Sequence, residues 1–344
     1  MTILLSLCLV CFCFSSSSNA ENNDNAEIIE LLRVIEGQKE TYGLEIVDFS
    51  LIKIGNVISV YDFVNDEFVF SRDAYPLFYL DELVAVVYKL DDSRFQMTNG
   101  LAGVINSLNK KEIAIVYDAQ GCHIYDGESF NLIVNSTEND GTKDVLRDGL
   151  DCSGISLTDL SEREMLGYTA QPQSRIQINW YCGVTYVTQN PYGQICWAAT
   201  TACISNYLTG SSYTAEGIAK DYYNSNVEAV FNQCIENFEE LRILNEYIGD
   251  TIEYVGVGGV PSDNCILGNI RNKYPIYAVF RASVYSYHAT TIYHYALSGA
   301  GYISIMDPQI GEVMMERGAN GYSYVSSYSN KEYTLARAYC AVVD

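Results

Sequence analysis

The residues best able to do chemistry lie in two short segments of the second half of the chain. The first reads Val184-Thr-Tyr-Val-Thr-Gln189-Asn-Pro-Tyr-Gly-Gln-Ile-Cys196-Trp197-Ala198-Ala199-Thr200. Asn190, Pro191 and Gly193 interrupt a β-rich run, and Ala198, Ala199, Ala202, Cys203, Ile204 and Leu208 then recur at helical spacings until Gly210. Cys196 is therefore expected in the first turn of a helix. Unpaired N–H groups and the positive end of the helix dipole favour a thiolate there, and the thiolate is the form that attacks carbonyls. An isolated Cys is more often a buried or disulfide-bonded core residue. The helix start, Trp197 as a packing neighbour, and a downstream His and Asp tip the reading toward a nucleophile.

The second segment runs Pro275-IYAVFRASVYSY-His288-ATTIY-His294-YALSGAGYISIM-Asp307-Pro308. Pro275 to Phe280 reads as a strand, a second strand runs to Leu297, Gly299-Ala300-Gly301 turns the chain, and Tyr302 to Met306 returns. A two-residue loop at Ala300-Gly301 would pair His294 with Asp307, and a three-residue loop would pair it with Met306. Either register sets Asp307 within one residue of His294. His288 lies six residues earlier, about 20 Å along a strand. A carboxylate must touch the imidazole to fix its tautomer and orientation, so His294 is the preferred base and His288 the runner-up. His123, in a strand-like run of the front half, reads as a structural histidine. Asp307-Pro308 by itself would be an ordinary strand-ending turn, and the Tyr run from Tyr285 to Tyr295 fits an exposed edge strand as well as a substrate cleft.

Taken together, Gln189-x₆-Cys196-Trp197-Ala198-Ala199, His294-Tyr-Ala-Leu-Ser-Gly299 and Met306-Asp307-Pro308 resemble the papain-like cysteine peptidases. The bacterial branch with bacteriocin-processing peptidase-like and plant-pathogen effector protease-like domains is the most similar. The resemblance covers about residues 178–344. It implies Cys196 as nucleophile, His294 as general base and acid, Asp307 as its orienting group, and the Gln189 side-chain amide in the oxyanion hole. It implies no cofactor and no metal. The Gln-to-Cys spacing of seven is slightly longer than in papain itself, and Tyr293 stands where the family often has Gly. Gln194, two residues before Cys196, would have to fold back to serve as an oxyanion donor.

The elements that must position these groups divide into an acidic front and a milder back. Of 43 Asp and Glu and 20 Lys and Arg among 344 residues, 28 acidic and 11 basic lie between positions 21 and 174. A net charge of −23 argues against nucleic acid and anionic membranes as partners, and 48% apolar content argues against a disordered acidic chain. Residues 4–14 form a short apolar run followed by a small–x–small site at Ser18-Asn19-Ala20, which reads as a cleaved secretory signal over residues 1–20. Eight Cys then remain, an even number that permits four bridges in an oxidising compartment. If Cys196 is a working thiol, at least one more Cys must be free or intermolecular.

Residues 21–170 carry a helical pattern at Ile28 to Ile35, strands at Ile52 to Tyr61, Phe68 to Phe70 and Leu83 to Tyr88, a helix at Leu101 to Leu108, and a hairpin at Ile113 to Tyr125. Asn135 to Gly149 is a polar linker candidate, and Gly167 to Ser174 an irregular seam. The expected fold is α+β: a papain-like domain at 171–344, with a helical part plus an antiparallel sheet part, behind a small α+β pro- or accessory domain. The expected function is that of a secreted cysteine endopeptidase acting on protein or peptide substrates. It would be made as a zymogen, with intramolecular inhibition by the front domain and processing at the seam. The alternatives are another Cys-His-Asp acyl-transfer enzyme, such as a transglutaminase or amidase, and a catalytically dead, disulfide-stapled binding protein.

Overall fold

The structure is a computed structural model. It describes residues 28, 51–90, 94–108, 111–118, 121–135, 152, 154–163, 178–224, 235, 239–283, 286–297, 301–327 and 329–342. The signal-like residues 1–20, nearly all of the Ile28–Ile35 helix pattern, the linker after Asn135, the 167–174 seam, Cys234 and Tyr285 lie outside the described residues.

The front half runs β1 (Ile52–Gly55), β2 (Ile58–Val64), β3 (Glu67–Tyr79), β4 (Glu82–Lys89), β5 (Phe95–Thr98), α1 (Ala102–Leu108), β6 (Glu112–Asp118), β7 (Gly121–Tyr125), β8 (Phe130–Asn135), β9 (Thr158–Asp159) and β10 (Glu162–Arg163). The back half runs β11 (Ile178–Tyr181), α2 (Cys196–Thr209), α3 (Ala215–Tyr223), α4 (Glu239–Ile248), β12 (Tyr254–Gly256), α5 (Asp263–Arg271), β13 (Ile276–Ser283) and β14 (Ser286–Leu297). It ends with β15 (Tyr302–Asp307), β16 (Gly311–Gly318), β17 (Gly321–Val325) and β18 (Glu332–Ala341).

β13 to β18 close on themselves. Each pairs antiparallel with the next, and β18 returns to β13. Alternation along these strands sends one set of side chains inward, including Phe280, Ile292, Ile303, Ile305, Val313, Tyr324 and Leu335, into a single buried cluster. The outer set, with Tyr277, Val279, Ala289 and Tyr339, packs against α2, α3 and α4.

α2 is buried over nine consecutive residues, Trp197 to Ser205. A helix with no wet face must sit inside other elements, and here α3, α4 and β14 cover it. Gly210, at φ 71°, ends it in the left-handed conformation that glycine adopts without strain.

The front half is a twisted sheet in which β2, β3 and β4 pair antiparallel, β2 and β6 pair parallel, and α1 packs on β4. The expected hairpin forms, with Tyr117 opposite Cys122.

The expected α+β arrangement, a papain-like helical part plus a sheet part behind a separate small module, is overturned. Among the described residues the structure is mostly antiparallel β, 47% strand against 23% helix, with a closed six-strand barrel and five helices. The physical cause lies in pairing that no local pattern announces. β5 of the front half adds antiparallel to β16 of the barrel, so the two halves share one hydrogen-bonded sheet system. They also share one apolar cluster, in which Tyr75, Phe95 and Met97 meet Ala296, Tyr302 and Met314.

Candidate active site

Cys196 begins α2, as its sequence context predicts. The N-cap, Ile195, has no side-chain oxygen to offer the first-turn N–H groups. Ala199 N–H makes the first helical bond back to Ile195 O, at 3.0 Å. Trp197 packs against the Tyr222 and Tyr223 rings, with centroids 5.3 and 6.2 Å away.

The loop that delivers Cys196 is stitched to the turn after Asp307. Gln189 N–H donates to Pro308 O at 3.0 Å, Tyr186 Oη to the same carbonyl at 2.9 Å, and Asn190 Nδ2 to Gln309 O at 3.4 Å. Gln189 itself is buried, and its Nε2 donates to Tyr192 O and Gly193 O at 3.3 and 3.0 Å. Both of its amide hydrogens are thus engaged by the loop, not aimed at an oxyanion beside Cys196. Gln189 shapes the approach to the nucleophile.

The imidazole next to Cys196 is that of His288. The Cys196 thiol lies within hydrogen-bond reach of it, and His288 Nε2 is 2.8 Å from Asp307 Oδ1. Nδ1 is therefore the ring nitrogen left for the sulfur. Burial alone would depress this histidine. The Asp307 carboxylate, seconded by Cys196, outweighs burial and holds it well above the ordinary histidine value.

Asp307 is fully buried and fully used. Oδ1 also accepts from Gln309 N–H at 2.9 Å, and Oδ2 accepts from Tyr324 Oη at 2.8 Å. Tyr324 is locked between Phe280 and Tyr333, with centroids 5.1 and 5.7 Å away. Tyr333 also lies against His288, at 5.9 Å.

His294, the preferred base, sits elsewhere. It is fully buried, its Nδ1 is 2.7 Å from Ser304 Oγ, and burial pushes its pKa down to about 3. The expected register is corrected accordingly. The turn is longer than two or three residues, because Ala296 pairs with Tyr302, and a bulge follows between Ile292 and His294. His294 then faces Ser304 and Thr291 faces Met306, so Asp307 falls one step further on, beside Thr290. His288 is two residues along the same strand face, the diagonal position that long side chains reach.

Other candidates resolve simply. His123 is buried with Nε2 3.0 Å from Asp118 Oδ1, far along the chain from Cys196 and on the front sheet. None of Cys122, Cys152, Cys182, Cys196, Cys203, Cys265 and Cys340 is in a disulfide, so the four-bridge framework is not formed among the described residues. Burial pushes Cys122, Cys182 and Cys203 up to about 12, which leaves them inert as nucleophiles.

Tyr324 was not foreseen. It is one of 29 tyrosines, in a strand whose alternation says only that it faces inward. A cleft of about 600 Å³ opens where β13 and β14 meet the start of β18, walled by Arg281, Ser283, Ser286, Lys331 and Thr334, with none of Cys196, His288 and Asp307 in its lining. Ser286 Oγ lies 3.4 Å from Tyr333 Oη, which ties that wall to the ring beneath His288. Among the described residues no group of three or more His, Cys, Asp and Glu could hold a metal ion, and no helix is long and apolar enough to cross a membrane.

No protein-family model matches the chain, and a search of curated proteins returns no match either.

Proposed function

We propose that the chain is a cysteine hydrolase that cleaves peptide bonds through Cys196, His288 and Asp307. One observation carries the reading. A half-buried thiol at a helix start, an imidazole and a fully hydrogen-bonded carboxylate stand in series in one site. That series supplies a nucleophile, a proton carrier and the group that orients it.

The Cys196 sulfur attacks the peptide carbonyl carbon while His288 holds the proton. The tetrahedral oxyanion is stabilised by first-turn N–H groups of α2, beginning with that of Cys196. His288 then protonates the leaving amine, and the C–N bond breaks to leave a thioester. Water, deprotonated by His288, attacks the thioester and frees the acid and the thiol. Asp307 keeps Nδ1 pointed at the sulfur throughout and favours the imidazolium between the two proton transfers. The resemblance of the Cys196-Trp197 and Asp307-Pro308 segments to cysteine peptidases supports a peptide substrate over a small amide.

The test is hydrolysis of an unfolded protein substrate, with new N-termini mapped, in the presence and absence of a primary amine. New N-termini that vanish in Cys196→Ala are expected. Amine incorporation without chain cleavage would replace hydrolysis with acyl transfer to amines, and a Cys196→Ala variant as active as the parent would end the reading.

A further inference from the structure

β16 carries two partners on the side away from β15. Toward its end it pairs with β17, at Arg317↔Tyr322 and Gly318↔Gly321. Closer to Asp307 it pairs with β5 of the front half, at Val313↔Thr98, Met314↔Met97 and Met315↔Gln96. β5 thus fills the part of the seam where β16 and β17 diverge.

The buried Gln96 side chain spans what is left of that seam. Its Nε2 donates to Val325 O at 2.6 Å, and its Oε1 accepts from Val325 N–H at 2.6 Å. Val325 follows Tyr324, whose hydroxyl holds Asp307 Oδ2. On the other flank, Gly100 packs so tightly on the Ile310 carbonyl that a Cβ would collide with it. Ile310 follows Gln309, whose N–H holds Asp307 Oδ1. Arg94 adds a bond to Ser323 Oγ at 2.9 Å. Both arms that fix the carboxylate therefore lean on residues 94–100.

We propose that the front half is a resident part of the catalytic unit and that Gln96 is a positioning residue for Asp307. This rests on the Cys196–His288–Asp307 reading and gives the front half a role other than that of a removable propeptide. Releasing the segment would strip Val325 N–H and O of their Gln96 partners and free Tyr324 to drift from Asp307.

The test compares the full-length protein with Gln96→Leu, which keeps volume and loses both bonds, and Gln96→Glu, which keeps the acceptor. Gln96→Leu should lower kcat by about ten- to a hundredfold with KM changed less than about twofold. It should also move the alkaline limb of the rate profile to lower pH, because His288 loses the close carboxylate, and Gln96→Glu should recover part of both. In a second variant a protease recognition site is placed at 167–174. After cutting, both fragments should co-elute and keep activity. A freed front fragment with a fully active back half, or a folded Gln96→Leu with the parent's kcat and limb, overturns the proposal. Cys196→Ala run alongside separates the cases: if it too is active, the triad reading has failed rather than this one.

A second observation stands apart from the site. Cys265, in the first turn of α5, has its Sγ 3.3 Å from Sγ of Cys340 on β18. Neighbouring backbone already pins the two elements, with Ala341 N–H donating to Asn269 Oδ1 at 2.8 Å. We infer that this pair closes to a disulfide under oxidising conditions, tying α5 to the last strand. The Cys340 sulfur pulls Cys265 down to about 7, so the half-buried partner is the one that reacts first. With oxidised glutathione, the Cys265 thiolate attacks one glutathione sulfur and expels a glutathione thiolate. Cys340 then attacks the Cys265 sulfur and expels the second. Two electrons pass to glutathione, and the two thiol protons go to the released thiolates. Intact mass should fall by two hydrogens, with a 265–340 cross-link lost in Cys265→Ser and in Cys340→Ser. A stable glutathione adduct without closure, or a cross-link to Cys196 instead, would overturn it.

Discussion

His288 Nε2 and Asp307 Oδ1 lie 2.8 Å apart across the hairpin made by β14 and β15, on side chains that are almost or wholly buried. The contact turns a histidine in an apolar setting into one that keeps its proton, because the carboxylate outweighs the cost of burial.

His288→Ala should lower kcat/KM by about 10²- to 10⁴-fold, whereas His294→Gln should stay within about threefold of the parent. Steady-state kinetics on a peptide substrate check both. The reverse pattern would restore His294 as base.

The alkaline limb of the rate profile, where His288 gives up its proton, should lie above the ordinary histidine range. Asp307→Asn removes the group that raises it and leaves burial, which lowers it, so the limb should move to lower pH. The profile of kcat/KM against pH reads this directly.

Tyr324→Phe deletes one hydroxyl and leaves Asp307 Oδ2 buried with one donor fewer. A loss of about 1–3 kcal/mol in stability is expected from urea unfolding, accompanied by a lower kcat with little change in KM.

Much of this site was legible in the sequence, and the reason one residue was not is specific. The helix start at Cys196 shows in the apolar periodicity, and Asp307 shows as the end of a returning strand. The choice between His288 and His294 depended on the length of the turn after Leu297 and on a bulge before His294. A shift of a few residues in register is invisible to alternation, because every second residue looks alike. The fold was less legible. The Leu101–Leu108 helix and the Ile113–Tyr125 hairpin arise from local patterns and are present. The addition of β5 to β16 links positions more than 200 residues apart, and nothing local encodes it.

Stability should fall with pH in a way that His294 controls. Its pKa is depressed to about 3 by burial, so below the ordinary value of 6.5 the unfolded chain takes up a proton that the native state refuses. Between pH 6.5 and 3 that costs about 1.4 kcal/mol per pH unit. His288 moves the opposite way: its contribution is present below 6.5 and is lost as pH rises through its raised value. His294→Gln should therefore flatten the decline below pH 6.5, as measured by urea midpoints across pH.

Glu312 gives the alkaline counterpart. Burial pushes it up to about 8, and its Oε2 has no hydrogen-bond partner. From its ordinary value of 4.5 up to about 8 the native state holds a proton that the unfolded chain has lost, so stability falls as pH rises, by at most about 1.4 kcal/mol per unit. Glu312→Gln should remove that decline and unfold at higher urea than the parent at pH 9.

The most direct test of the central claim is covalent labelling by an epoxide of the class that traps cysteine peptidases, mapped by peptide mass spectrometry. The triad predicts label on Cys196 in the parent and in His294→Gln, and loss of label in His288→Ala. Label on another cysteine, or labelling of Cys196 that His294→Gln abolishes and His288→Ala leaves intact, would contradict it.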